Sequence, residues 1–324
     1  MSGRAPPIGA RAADDGAVTP LILRPVRDDE ADAELVREVA AAASGTYRAL
    51  PGPDDGHGHR AGGHRWPGDG WTEERSARHR GRTRHLARTD PGGCWVVEDR
   101  AAGPIAVALS ARREGTWSLS LLAVVPQARG KGVGAALLNR TMEHGRACLR
   151  ALACAPADPV AVRTLRRAGF DVHPAMRLTG LADPARLDPP DGAVHEGTAR
   201  HRDLMDSVDR RTRGGAHGPD HEELLRHHRL FVVDDLAGSG YCYAGGGRVE
   251  ALAATSRRLA TRLLTAALLA TPPGDPVDVP HVLAEGQWAL DVAVAAGLHI
   301  VNDGFVCLRG MRPPELALTS TLFP

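Results

Sequence analysis

Residues 119–135 read Leu119-Ser120-Leu121-Leu122-Ala123-Val124-Val125-Pro126-Gln127-Ala128-Arg129-Gly130-Lys131-Gly132-Val133-Gly134-Ala135: an apolar run, a proline, then three glycines on a two-residue repeat. The run reads as a strand stopped by Pro126, and the residues that follow place Val133, Leu137, Leu138 and Met142 on one helical face. Glycines at this joint leave backbone N–H groups uncovered. A helix N-terminus carries unpaired donors and a partial positive charge, and Arg129 and Lys131 add full charges beside it, so the loop suits a pyrophosphate. Two other phosphate loops are excluded. A Walker loop needs G-x-x-x-x-G-K-S/T, and a dinucleotide loop needs G-x-G-x-x-G with an acidic residue about 20 positions on; neither pattern is met.

The segment resembles the acyl-CoA signature Q/R-x-x-G-x-G/A of the GNAT superfamily of N-acyltransferases, carried here by Gln127, Gly130 and Gly132 and preceded by a Val-x-Pro strand end, Val124 and Pro126. The resemblance implies that freed backbone groups at Leu122, Ala123 and Val124 hold the pantetheine arm. It likewise implies that Gln127, Arg129, Gly130, Lys131, Gly132, Val133, Gly134 and Ala135 hold the pyrophosphate. A second family pattern, Asn-x-x-Ala, Tyr, Gly-Phe, falls on Asp158, Ala161, Leu165 and Gly169-Phe170. The tyrosine, which in many members protonates the departing thiolate, is replaced by Leu165. That role is therefore unassigned, and an apolar wall there implies room for an acyl chain longer than acetyl.

The 324 residues contain 40 basic and 39 acidic side chains, a balance that gives no sign of nucleic-acid or membrane affinity. Lysine occurs once, as Lys131 in the loop. Cys94, Cys148, Cys154, Cys242 and Cys307 are scattered singly without metal-type spacing and read as buried, reduced thiols; no metal is expected. His57, His59 and His64 fall in a Pro/Gly-rich stretch that reads as a solvated loop. No run approaches a membrane span, and the expected location is cytoplasmic.

The pattern of elements restarts after a Pro- and Asp-rich stretch. The expected organisation is a mobile lead-in (1–20), a GNAT-like domain (21–181), a linker (182–193) and a second, degenerate GNAT-like domain (194–324). The expected fold class is α/β (α+β), with two tandem domains, each a mixed central sheet flanked by helices. Where the second copy needs its phosphate loop it has Ala254-Thr255-Ser256-Arg257-Arg258-Leu259, with no glycine. Strings such as Gln287-Trp288-Ala289-Leu290-Asp291 look similar to the C-terminal halves of actinobacterial tandem GNAT proteins, a group that includes acyltransferases of glycopeptide-antibiotic amino sugars.

The resemblance thus implies transfer of an acyl group from acetyl-CoA or a longer acyl-CoA to a primary amine of a small molecule, in a monomer or homodimer. A noncatalytic acyl-CoA sensor and a peptide N-acetyltransferase are the alternatives. An alkyl ammonium must lose a proton before attack. The strand offers only Ser118 and Ser120, able to order water, so the base is His173, His195 or His217, or else a water-mediated route serves an acceptor amine of lowered pKa. Arg75, Arg78 and Arg82 on the helix after Thr72 read as a solvated face rather than a lid over an anionic acceptor.

Overall fold

The structure, a computed structural model, describes residues 20–44 and 71–324. The expected lead-in up to residue 19 and the stretch with His57, His59 and His64 lie outside the described residues.

One order of elements occurs twice. The first half runs β1 (Ile22–Pro25), α1 (Glu30–Ser44), α2 (Glu73–Thr89), β2 (Cys94–Asp99), β3 (Gly103–Arg113), β4 (Thr116–Val124), α3 (Val133–Met142), β5 (Arg150–Ala155), α4 (Pro159–Arg167) and β6 (Asp171–Gly180). The second runs β7 (His195–Glu196), α5 (Arg202–Thr212), α6 (Asp220–His227), β8 (Arg229–Asp235), β9 (Gly238–Gly245), β10 (Arg248–Ala254), α7 (Arg257–Leu269), β11 (Val277–Val282), α8 (Gln287–Ala295) and β12 (His299–Arg309), with β13 (Ala317–Leu318) beyond.

Local sequence explains these elements. In α1 the buried residues Ala33, Val36, Val39, Ala40 and Ala43 recur at helical spacing. Thr72 caps α2, its hydroxyl accepting from the Arg75 N–H at 3.2 Å. Asp158 caps α4 by accepting from Ala161 N–H at 3.0 Å. In β3, Ala106, Val107, Ala108 and Leu109 are all buried, as expected of a strand covered on both faces.

The strands join in one sheet, in the order β1-β2-β3-β4-β5-β12-β6-β11-β10-β9-β8-β7, with β13 added beside β10. This order is symmetric about its centre, and the two halves exchange strands there. β12 of the second half lies between β5 and β6 of the first, pairing Phe305 through Arg309 with Ala155 through Ala151 and Ile300 with Leu178. β6 in turn lies between β12 and β11. β4–β5 and β10–β11 are parallel, and the other pairs are antiparallel. The first half is therefore not a self-contained sheet. No helix among the described residues is long and apolar enough to cross a membrane.

Candidate active site

The organising strand behaves as a parallel strand for only half its length. β4 pairs with β5 from Thr116↔Arg150 to Leu119↔Ala153 and then leaves it. The departure coincides with a bulge: Leu109 faces Leu121 and Ser110 faces Leu119, leaving Ser120 as the extra residue. Beyond the bulge Leu122 and Val124 pack toward α3, while Leu121 turns to the opposite face. Backbone groups of β4 after Leu119 are thus not engaged by β5.

This strand leads into a loop shaped by two left-handed residues. Gly130 has φ +76° and Gly132 φ +81°, a region open to glycine but costly for other residues. Gly132 is the N-cap of α3 and offers no side-chain cap, so the first N–H groups of that helix have no partner within it and none from a capping side chain. Gln127 and Lys131 are exposed beside it. Arg129 instead braces the loop, its guanidinium donating to Val124 O at 3.1 Å and Ala43 O at 2.7 Å. An exposed, uncapped helix start beside one lysine fits a pyrophosphate.

The equivalent position in the second half is closed. Ser256 caps α7, accepting from Leu259 N–H at 3.4 Å. Arg257 pairs with Glu315, Arg258 with Asp191, and Arg262 with Asp191 and Asp235 at 2.7 and 2.8 Å. Donors and charges here are already consumed within the chain.

On the face to which Leu121 turns lies a cavity of about 490 Å³, bounded by α1 and α2 of the first half and by β6, β10, β11 and Thr321-Leu322. Among the described residues its wall holds five arginines (Arg75, Arg78, Arg82, Arg177, Arg248) and three carboxylates (Glu74, Glu250, Asp278). The solvated-face reading of α2 is corrected here. Arg80 and Arg84 do point outward, to Glu34 and Glu73 and to Asp28, but Arg75, Arg78 and Arg82 recur at helical spacing on the face that roofs the cavity. Arg82 is 4% exposed. It donates to Ser120 O at 3.3 Å and has no carboxylate within ion-pair distance among the described residues, so burial lowers it to about 10.

The floor is a chain of charges crossing between the halves. Glu250 meets Arg248 (3.0 Å), Arg248 meets Asp278, Asp278 meets Arg177 (3.1 Å), and Arg177 meets Asp303 (2.7 Å). Burial pushes the Glu250 carboxyl up, but Arg248, His228 and the Ser320 hydroxyl outweigh it and hold it at about 2. An unfolded glutamate titrates at about 4.3, so this stabilisation, about 3 kcal/mol, is fully present above that pH and is lost as the pH falls toward the folded value. Glu250→Gln is expected to flatten the acid limb of the stability profile, measured as denaturation midpoints from about pH 5 down to about pH 2.

At the end of the floor stands His281, which sequence reasoning missed. It interrupts the β11–β6 register, has φ +55°, and lines the cavity. Its Nδ1 lies 3.5 Å from Cys154 Sγ, and its Nε2 lies 3.8 Å from Asp303 Oδ2. Burial, with Arg248 and Arg177 nearby, outweighs Asp303 and lowers its pKa, leaving a neutral imidazole. Cys154 follows the last β4–β5 pair and is partly exposed, as is Cys148, so the five thiols are not uniformly buried.

The candidate bases named from sequence do not converge on this cavity. His195 is exposed on β7, at the far edge of the sheet. His173 lies on β6 opposite Val306. His217 is buried against Asp209, at 2.7 Å. Ser120 lies behind the cavity wall, its carbonyl accepting from Arg82 and its hydroxyl donating to Leu322 O. Leu165 is 4% exposed, packed with Trp117, Leu119 and Phe170 in the core beneath the sheet, and supplies neither a proton nor a wall to the cavity.

Residues 62–170 match the family model described as the Acetyltransferase (GNAT) family. The match covers about a third of the chain and includes the glycine loop. Solved structures extend the likeness over the whole chain. A Pyrococcus horikoshii protein assigned as an acetyltransferase superposes with a TM-score of 0.67 at 14% identity, covering 98% of this chain and all of that one. A GCN5-related N-acetyltransferase from Sphaerobacter thermophilus gives 0.55 at 16%, covering 93% and 98%. A tandem GNAT protein from the clavulanic acid biosynthesis pathway gives 0.55 at 14%, covering 90% and 99%. At these identities the likeness is one of fold. No curated protein matches the chain by sequence.

Proposed function

We propose that the chain transfers an acyl group from acyl-CoA, held by the first half, to the amine of a small molecule that also carries an anionic group, held in the cavity between the halves. The carrying observation is continuity: the strand edge freed beyond Leu119 runs from the glycine loop to Leu121 in the cavity wall. When bound, acyl-CoA supplies a thioester carbonyl. The N–H groups of β4 after the bulge are placed to donate to it as it gains negative charge.

The acceptor follows from the wall. A cavity of about 490 Å³ takes an amino acid or an amino sugar, not the surface of a folded protein. Arg82, buried with no carboxylate partner among the described residues, favours an anionic group on that molecule, and Glu250 and Asp278 favour its ammonium. In this reading His281 replaces the histidines named from sequence as the base. Nδ1–H is held by Cys154, the Nε2 lone pair takes the proton from the ammonium, and Asp303 stabilises the imidazolium that forms. An amino sugar of a glycopeptide antibiotic remains the most specific acceptor reading, and only its sugar would enter.

Thiol release from acetyl-, hexanoyl- and decanoyl-CoA with amino acids, amino sugars, glycopeptides and peptides tests the proposal. Acceptor-dependent release with small anionic amines supports it. Binding of acyl-CoA with no release for any amine would instead leave a sensor. Two variants sharpen the test. Arg82→Leu is expected to lower kcat/KM for the anionic amine by about 10- to 100-fold, chiefly through KM, without lowering Tm, because it removes a buried charge that no carboxylate pairs. His281→Asn keeps a residue that tolerates the left-handed backbone and is expected to lower kcat by about 100-fold; unchanged kcat would remove His281 from the base role.

A further inference from the structure

The cysteines have no metal-type spacing, yet the fold assembles a candidate ligand set from other residues in the second half, apart from the acyl-transfer cavity. Asp209 of α5, His217 of the following turn and His221 of α6 bring a carboxylate oxygen and two ring nitrogens within 4.8 Å of one another, and all three residues are buried. Asp206, one helical turn before Asp209, lies outside that three-residue group but next to it, beside His221. Its Oδ1 lies 3.4 Å from His221 Nε2, and Asp209 Oδ2 lies 3.4 Å from the same nitrogen and 2.7 Å from His217 Nδ1. Zinc bond lengths of about 2.0–2.1 Å set tetrahedral ligands about 3.3 Å apart. The two 3.4 Å separations match that value, and the 2.7 Å one is a hydrogen-bond distance that an ion would open.

The outward atoms of His217, His221 and Asp209 are already held, and the inward oxygen of Asp206 also accepts a backbone N–H. His217 Nε2 faces Phe323 O at 3.2 Å, and His221 Nδ1 faces the Tyr243 hydroxyl at 3.1 Å. The Tyr241 hydroxyl donates to Asp209 Oδ1, and Gly218 N–H donates to Asp206 Oδ1 at 3.1 Å. An outer shell of this kind fixes the tautomer and ring orientation of ligating histidines. Two inward atoms are left unresolved. His221 is 0% exposed, and its Nε2, aimed between the two carboxylates, makes a hydrogen bond to neither. His217 faces an acceptor at each nitrogen, whereas a neutral imidazole has one N–H to donate. An ion on Nδ1 resolves this, since Nε2–H is then free to donate to Phe323 O.

We propose that Asp206, Asp209, His217 and His221 form a buried structural site for a divalent transition metal, with zinc as the best match to two imidazoles and two carboxylates. Two carboxylates neutralise the dication, and the closed ligand set leaves no position for a substrate. The ion would tie α5 to α6 and, through His217, to Phe323, next to the Thr321-Leu322 wall of the cavity. The proposal stands apart from acyl transfer.

The test uses the full chain, expressed with added zinc and purified without chelator. Elemental analysis by plasma mass spectrometry is expected to find close to one zinc per chain. After chelation, zinc is expected to raise Tm by about 5 °C or more, and cobalt(II) is expected to give the visible absorption of a four-coordinate site. Asp206→Asn alters the most exposed of the four ligands. It is expected to weaken zinc binding by at least about tenfold with an unchanged far-ultraviolet circular dichroism spectrum. Metal content near zero, with Tm and absorption indifferent to either ion, would overturn the site and leave a proton-bridged Asp–His network. Zinc binding untouched by both Asp206→Asn and His217→Gln would overturn it as well, by locating the ion elsewhere on the chain.

Discussion

Replacing Gly132 with valine is expected to abolish acyl-CoA binding while the chain stays folded. A Cβ built at Gly132 meets no atom of the described residues within 4 Å, so the substitution causes no clash with them. The penalty is confined to the backbone: φ is +81°, and a β-branched residue held there costs about 1–3 kcal/mol. The loop escapes that cost by abandoning the conformation that exposes the first N–H groups of α3. The helix itself remains anchored by the buried Val133, Leu137 and Leu138. Isothermal calorimetry with acetyl-CoA reads the outcome, with circular dichroism as the check on folding. Ser256→Gly in the second half is the companion variant, expected to leave a stoichiometry of one, because the ion pairs of Arg257, Arg258 and Arg262 still close that helix start. A full-affinity site in Gly132→Val would mean that the glycine loop does not hold the pyrophosphate.

The glycine loop was legible because its chemistry is local. Strand, Pro126, glycines and helix follow one another within one stretch, and each is fixed by neighbours in sequence. The repeat of element order was legible for the same reason, since capping residues such as Thr72, Asp158 and Ser256 announce helix starts without any tertiary information. The cavity was half legible. The spacing of Arg75, Arg78 and Arg82 marks one face of α2, and that of Arg80 and Arg84 another, but spacing alone does not say which face meets solvent. His281 left no local signal. Its position depends on a break in the β11–β6 register and on Cys154 and Asp303, which are 127 and 22 residues away in sequence. The place of β12 was illegible for a related reason: several apolar strands could pair with β5, and the choice among them is made by contacts across the whole chain.

That choice of partner changes what a fragment ending at Leu181 should do. Read from sequence, residues 1–181 form a domain that binds acyl-CoA alone and lacks only acceptor turnover. In the folded chain, however, β12 stands between β5 and β6, and removing residues 182–324 strips every β12 hydrogen bond from both. β5 would keep its short parallel pairing with β4, and β6 would lose both of its neighbours, β12 and β11. Phe170 would lose the cover of Cys307, Ala175 that of Val306 and Leu308, and Leu178 that of the second-half core. Exposed strand edges of this kind invite pairing between chains. The 1–181 fragment is therefore expected to be aggregated or unfolded, without a cooperative thermal transition and without measurable acyl-CoA binding. Appending residues 299–309 through a flexible linker restores the missing strand and is expected to recover part of the soluble, acyl-CoA-binding population. Gel filtration, thermal melts and calorimetry on both fragments decide the matter. A monomeric 1–181 fragment that melts cooperatively and binds acyl-CoA as tightly as the full chain would show that the exchange of strands is dispensable, and that the two halves are separable domains.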